Sequence, residues 1–410
     1  MRHPILLAAA FALASSLAIA PPASAQNTVK IGAIGPLTGP AATSGIAMRK
    51  AWEFVASEVN AAGGIMVDGK MKKVEVLFED SQSRPEVGVS AAQKLLTRDN
   101  VEVLVGELFH SHVTLAIMEL SPAFPNKVFF TGQPVSQEIA RKIASDKKKY
   151  GNYWKFSFNA DAYADTTFQT IDWLIKDGKV KAPNKTFGFI TEETDYAKSN
   201  IEFMRKLFEP AGWKMTGQEL VPIGNADFFP QLSKMRAAPP DVLISIFTSP
   251  NTGAALTKQM REQGVKPFHF AIFYPTLREY ITAAGPSAEN LVYSPLLFDP
   301  QNNAKHKEVA DKMKPFLGIE TSADHAFGYC NAHVLFDVIK RAGATEVAKM
   351  NAAFEKTDYQ CMLGRWVFNL DNHSPRVGPD YFAVPAAQVQ DGQWKAIWPS
   401  TVATSTYRPQ

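Results

Sequence analysis

Residues 101–120, Val-Glu-Val-Leu-Val-Gly-Glu-Leu-Phe-His-Ser-His-Val-Thr-Leu-Ala-Ile-Met-Glu-Leu, change their apolar spacing halfway along. Val101, Val103, Leu104 and Val105 form a short β-branched run, whereas Val113, Ile117 and Leu120 recur at helical spacing. A strand therefore hands over to a helix through a polar knot at Phe109-His110-Ser111. In an open α/β sheet ligands collect at the carboxyl ends of strands, and a helix start offers unpaired N–H groups to an anion. The knot is the first candidate for a binding site.

The same rhythm extends in both directions. Val29–Ile34 reads as a buried strand, followed by the turn Gly35-Pro36-Leu37-Thr38-Gly39-Pro40 and an amphipathic helix through about Ala61, closed by Gly63-Gly64. Val74–Glu79, Val101–Val105 and Val128–Thr131 are strands, with a helix over Pro85–Arg98 between the first two. A second run starts near Trp154: strands at Thr186–Thr191, Lys214–Val221, Asp241–Phe247 and Phe268–Phe273, and helices at Thr166–Ile175, Tyr196–Phe208, Phe228–Met235 and Thr252–Gln263. Strands alternating with helices predict parallel sheets with right-handed crossovers. There is no fixed-period repeat, so two similar α/β domains, Rossmann-like lobes facing each other, fit better than a solenoid.

Bulk properties narrow the class. Met1-Arg2-His3-Pro4, an apolar stretch to about Ala20 and Ala23-Ser24-Ala25 make a basic start, a short hydrophobic segment and a cleavage site, which predicts export with Gln26 as the mature N-terminus. Pro21-Pro22 closes the segment too early for a membrane anchor, and no later stretch reaches the roughly 20 apolar residues of a spanning helix. The remaining 385 residues exceed one compact core. Removing a leader whose one charged residue is Arg2 leaves 42 basic against 40 acidic residues, which gives no reason to expect nucleic acid. Lys147-Lys148-Lys149 lacks aromatic interleaving and reads as a solvated turn. For Cys330 and Cys361 a structural disulfide is the leading reading and two buried thiols the alternative.

Motifs for chemistry are missing. The stretch Gly32–Gly39 lacks the G-x-G-x-x-G order, and Pro36 removes an N–H where a phosphate cradle needs one. There is no Walker-type Gly-Lys-Ser/Thr, G-x-S-x-G, C-x-x-C or H-E-x-x-H. His110 and His112 lie two residues apart with no third ligand near them in sequence, so no metal site is expected and His110 reads as a donor to a ligand. No carboxylate pair is spaced for acid/base work, so no enzyme is expected.

Several segments, taken in order, resemble one family. Residues 31–45 (IGAIGPLTGPAATSG) precede a helix ending VNAAGGI (59–65). VEVLFEDSQSRPEVGVSAAQKLL (74–96), VEVLVGE (101–107), ETDYAKSNIEFMRKLFEPAGW (193–213), DFFPQLSKMRAAPPDVLI (227–244) and TKQMREQGV (257–265) follow. The order and spacing resemble the periplasmic leucine/isoleucine/valine-binding proteins of ABC importers, over nearly the whole mature chain. The resemblance implies the type I periplasmic binding fold, with crossovers near Trp154–Phe158, Ser294–Phe298 and Asp371–Pro375. Residues 26–155 and 297–372 then form the first lobe, and 156–296 with 373–410 the second. It implies a periplasmic, monomeric receptor that closes like a hinge over a small ligand and docks to permease subunits, with no cofactor.

In that family the knot and the turn after the fourth parallel strand hold a ligand carboxylate through hydroxyls and backbone N–H groups. Here those places carry Phe109-His110-Ser111 and Gln133-Pro134-Val135-Ser136, with Ser44 in the first loop. Tyr163, Tyr196, Thr248, Ser249 and the Phe273-Tyr274 pair are expected opposite. Amino-acid-binding members usually place an acid near Phe273 for the ligand's ammonium, and the segment FAIFYPTLREY (270–280) offers none before Glu279. Asp161 and Asp195 are the substitutes considered. The resemblance thus leaves two ligand classes, branched-chain or other apolar amino acids and aromatic or aliphatic carboxylates. A sensory module for a small amide or acid is the alternative function.

Overall fold

The computed structural model describes residues 27–410, so the leader reading on residues 1–25 lies outside the described residues. In chain order the strands are β1 (Thr28–Gly35), β2 (Ile65–Val67), β3 (Lys70–Asp80), β4 (Val103–Gly106), β5 (Val128–Phe130), β6 (Tyr153–Trp154), β7 (Thr186–Glu192), β8 (Lys214–Val221), β9 (Val242–Phe247) and β10 (Phe268–Phe273). After them come β11 (Val292–Ser294), β12 (Tyr359–Cys361), β13 (Gly364–Trp366), β14 (Phe368–Asn369), β15 (Ser374–Pro375), β16 (Ala386–Gln390) and β17 (Gln393–Trp398). Two large sheets result, ordered β2-β3-β1-β4-β5-β6 and β17-β16-β11-β10-β9-β7-β8. The first is parallel except for β2, and the second is parallel from β8 to β11.

The interior strands carry apolar side chains on both faces because helices cover both sides. β4, β9 and β10 are buried along their whole length. The C-terminal tail supplies the antiparallel edge β16–β17, turned at Asp391-Gly392, both at positive φ as a two-residue hairpin turn requires. Helices Ala304–Leu317, Ala323–Ala342 and Val347–Glu355, unassigned from sequence, return the chain to the first lobe. Helix Ala323–Ala342 lies along helix Ala42–Ala61, where Trp52 meets Phe336 edge-on and donates from Nε1 to Asn331 Oδ1 at 3.0 Å.

Three connections join the lobes, giving the type I periplasmic binding architecture. Two of them are fastened to each other. Trp154 is sandwiched between Phe354 and His373, with ring centroids 4.6 and 3.9 Å away. Lys155 N–H donates to the His373 carbonyl, and Asn159 Nδ2 donates to Ser374 Oγ at 3.0 Å. The buried Lys155 ammonium donates to Ser157 O and Oγ and to Phe158 O, so the first connection supplies its own acceptors for a charge that burial disfavours.

In each sheet the strand order reverses once. β1 runs between β3 and β4, and β7 between β8 and β9, so the chain leaves each pair in opposite directions. Such switch points open a crevice at the carboxyl ends of the strands. Here the two crevices face each other.

Candidate functional site

The knot at 106–112 is shaped by backbone contact. Leu108 N–H donates to the Ile34 carbonyl at 2.7 Å, and Gln133 N–H to the Leu108 carbonyl at 2.6 Å. Gly132 permits that approach, because a Cβ there would stand 2.2 Å from the Leu108 oxygen. The loops after β4 and β5 therefore form one surface. Ser111 strengthens it, since its Oγ accepts from Ser136 N–H at 3.1 Å, while Ser136 Oγ caps helix Gln137–Ser145 and meets Ser199 Oγ of the second lobe at 2.9 Å.

Across the crevice, Thr194 Oγ1 caps helix Asp195–Phe208 by accepting from Ala197 N–H. Thr248 donates both its N–H (2.9 Å) and its hydroxyl (2.6 Å) to Glu192 Oε2. Phe273 closes the wall at the end of β10 with φ of +68°, a left-handed conformation costly for an aromatic residue. Its ring lies 5.6 Å from that of Phe109 on the first lobe. Phe109, His110, Ser111, His112, Gln133, Val135, Tyr163, Thr194, Tyr196, Thr248 and Phe273 enclose a cavity of about 30 Å³. That is room for about two water molecules, against roughly 300–1,000 Å³ for an ordinary ligand pocket. An amino-acid-sized solute enters only if the lobes part.

Of the residues expected at the site, His110, Ser111, Gln133, Val135, Tyr163, Tyr196, Thr248 and Phe273 line this cavity. Ser136 sits behind it as the cap just described. Ser44, on the first turn of helix Ala42–Ala61, is buried and does not line the cavity. Ser249 is the cap of helix Pro250–Glu262, accepting from Thr252 N–H, and does not reach the cavity. Tyr274 is a correction: successive side chains at the strand end diverge, and with Phe273 inward Tyr274 turns into the core of the second lobe. There it packs on Phe247 and Tyr280, with its hydroxyl 2.8 Å from Ser245 Oγ.

The anion grip also differs from expectation. The Phe109 and His110 N–H groups point to Glu107 Oε1, at 3.3 and 3.4 Å, instead of into the cleft. Glu107 holds φ at +138° and is fully buried. Burial pushes its carboxyl up to about 8, with the Ser81 hydroxyl and the His110 and Phe109 N–H groups opposing. His110 is kept neutral by burial and by neighbouring His112, and its Nε2 lies 2.9 Å from Ser83 Oγ. His112 Nε2 meets the Ser83 carbonyl at 3.0 Å. No group of three or more His, Cys, Asp or Glu residues placed to hold a metal occurs among the described residues. Three groups facing the cleft keep unspent polar capacity: the Ser111 hydroxyl hydrogen, Gln133 Oε1 and the Tyr196 hydroxyl.

Sequence reasoning missed the buried carboxylates. Glu107, Glu192 and Asp324 are all fully buried, and burial pushes their carboxyls up to about 8, 7 and 6. Nothing in the local sequence marks them. Asp161 and Asp195, the substitutes considered, are only partly buried and do not line the cavity. A larger open depression on the first lobe, between Arg49, Glu53, Glu79 and Lys94, pairs its own charges and leaves none for a ligand.

Removing the Ser111 hydroxyl strands the buried Ser136 N–H. The Ser111→Ala protein is expected to lose about 1–3 kcal/mol of stability. A urea midpoint equal to that of the wild type would show that the two loops do not depend on this bond.

Two lobes with facing switch points and a cavity lined from both define a cleft-closing ligand-binding protein. The chain belongs to the periplasmic binding protein family, which it matches over residues 28–393. It is 27% identical over 400 residues to a Leu/Ile/Val-binding protein homolog of Brucella suis, covering 94% of this chain and 97% of the relative. Its fold matches a branched-chain amino acid transporter substrate-binding protein of Streptococcus pneumoniae in complex with isoleucine, with TM-score 0.74, 20% identity, and 91% and 100% of the two chains covered. It also matches a solute-binding protein of an ABC transporter from R. palustris in complex with benzoate, with TM-score 0.76, 16% identity, and 93% and 98% covered.

Proposed function

We propose that this protein is a periplasmic receptor that captures a small apolar amino acid or a related carboxylate and presents it to the permease of an ABC importer. The observation that carries the reading is a cavity at both switch points lined from both lobes, two of whose lining residues, Tyr196 and Gln133, keep a buried oxygen without a hydrogen-bond partner. The named relatives support both ligand classes: one is called a Leu/Ile/Val-binding protein homolog, one solved structure holds isoleucine and another benzoate. Export, cleavage after Ala25 and a monomeric state belong to the same proposal. So do lobes built from residues up to 155 with 297–372, and from 156–296 with 373–410.

The mechanism is closure without chemistry. A solute touching both walls binds the closed form better than the open one, and moving the population from 1:99 to 99:1 takes about 5.5 kcal/mol of difference between the two forms. Phe109 and Phe273 part to admit it and then cover its apolar face. Aromatic walls with a few directed polar groups are the usual make-up of such pockets.

The test is a thermal-shift screen of the mature protein, freed of bound solute by partial unfolding. It covers leucine, valine, phenylalanine, benzoate and branched aliphatic acids, with small-angle scattering on each hit. A rise in melting temperature with a smaller radius of gyration is expected, because binding to the folded state alone stabilises by mass action. No shift and no contraction with any of these would overturn the reading. With a hit in hand, Phe273→Ala should weaken binding by about tenfold or more through lost aromatic burial. An unchanged dissociation constant would return Phe273 to core packing.

A further inference from the structure

Outside the cavity and the three connections, the lobes are bonded to each other where helix Gln137–Ser145 of the first lies against helix Asp195–Phe208 of the second. On the second helix Ser199, Glu202 and Phe203 are three and four residues apart and share a face, and that face meets Ser136 and Arg141. The contact has two levels. At the inner one Ser136 Oγ and Ser199 Oγ, both buried, stand 2.9 Å apart. At the outer one Arg141 Nη2 donates to Glu202 Oε1 at 2.5 Å, and the guanidinium lies over the Phe203 ring, 5.7 Å from its centroid. The Arg141 and Glu202 side chains are 42% and 37% exposed, so dissolved salt reaches them. None of the five residues lines the cavity.

Each outer charge keeps a second partner on its own lobe. Arg141 Nη1 is 3.7 Å from Glu138 Oε2, and Lys206 Nζ is 2.6 Å from Glu202 Oε1. Those pairs survive when the lobes part, whereas the hydroxyl contact, the Arg141–Glu202 bond and the ring contact do not. Among the described residues no other hydrogen bond crosses between the lobes away from the connections. Another approach, Pro40 to Gly224, is apolar, with a Cβ on Gly224 standing 3.1 Å from Pro40 Cγ. Arg141 and Lys206 hold the Glu202 carboxyl down at about 2, so it stays charged at neutral pH and salt is what loosens the pair.

We propose that this contact is a latch: the Arg141–Glu202 pair, seated beside Ser136 and Ser199, sets how much of the empty protein is closed. Solute affinity then depends on ionic strength through residues that never touch the solute. The affinity clause rests on the receptor reading, and the closing of the empty protein does not. Apparent affinity falls in proportion to the closed fraction, because only that fraction is ready to bind. An exposed ion pair shifts such an equilibrium by about two- to fivefold.

The experiment is small-angle scattering on the mature protein, freed of bound solute, from about 0.01 M to about 1 M sodium chloride. The wild type should have its smallest radius of gyration at low salt and expand as salt rises. Arg141→Gln and Glu202→Gln, with circular dichroism as the check on folding, should be expanded already at low salt, and the double variant no more than either alone. Arg141→Glu combined with Glu202→Arg restores opposite charges across the gap and should contract again. A wild-type radius that ignores salt, or variants that match the wild type at every salt concentration, would overturn the latch. Calorimetry with leucine and benzoate reads affinity: whichever binds should bind Arg141→Gln about two- to fivefold more weakly at low salt, with the difference gone at about 1 M. Equal dissociation constants at low salt would overturn the affinity clause. A wild type that neither binds nor contracts around any solute rejects the receptor reading and that clause with it, while the scattering of the empty protein still decides the latch.

Discussion

The Glu107→Gln protein is expected to lose markedly less stability than the wild type as the pH rises from 5 to 8. Burial pushes the Glu107 carboxyl from 4.5 in the unfolded chain to about 8 in the fold. Below pH 4.5 the carboxyl is protonated in both states and costs nothing. Between those values the unfolded chain gives up its proton and the folded chain keeps it, so stability falls by about 1.4 kcal/mol for each pH unit. Above about 8 the penalty is complete, on the order of 4–5 kcal/mol. Glutamine keeps the oxygen that accepts from Phe109 and His110 N–H and removes the titration. Glu192 and Asp324 are shifted in the same direction, to about 7 and 6, so a shallower slope should remain in the variant below pH 7. Urea midpoints at one-unit steps from pH 5 to 9 read the outcome. The two proteins should nearly coincide at pH 5 and be farthest apart at pH 8 to 9. Parallel profiles would show that Glu107 ionises freely in the fold.

The second large effect is loss of the disulfide. Cys330 and Cys361 are bonded, both are buried, and they stand 31 residues apart. The bond ties helix Ala323–Ala342 to the hairpin β12–β13, and therefore holds the element that carries Asp324. Closing a loop of that length in the unfolded chain is worth about 3–4 kcal/mol on the chain-entropy model. Cys330→Ala with Cys361→Ala should lower the urea midpoint by a corresponding amount, and reductant should do the same to the wild type alone. The unreduced wild type should take up no alkylating label. Two labels on the intact protein, or a double variant as stable as its parent, would contradict this.

The disulfide is the leading reading of the sequence and is present in the fold, whereas the buried carboxylates are features that sequence shows poorly. Glu107 reads as an ordinary acid one residue past a strand, and only the backbone turn at φ +138° carries it inward. Asp324 reads as an acid in a helix's first turn, a surface pattern with a favourable dipole, until the helix is laid on Ala42–Ala61. Phe273 and Tyr274 were indistinguishable as neighbours in a line. The strand end divided them, one to the cleft and one to the core. The Asp391-Gly392 turn, by contrast, is legible in the sequence as a hairpin signal.

The sequence by itself determined the alternation of strands and helices, the change from a continuous apolar run to helical spacing at residues 101–120, and the loops that line the cleft. Those signals are local, because apolar spacing and turn residues act within a few positions of each other. Tertiary structure alone decided which polar groups were spent on one another and which remained for a ligand. Hydrogen bonding and desolvation depend on neighbours brought together from distant segments, as Ser111 meets Ser136 and Thr248 meets Glu192, and no periodicity in the chain encodes those meetings.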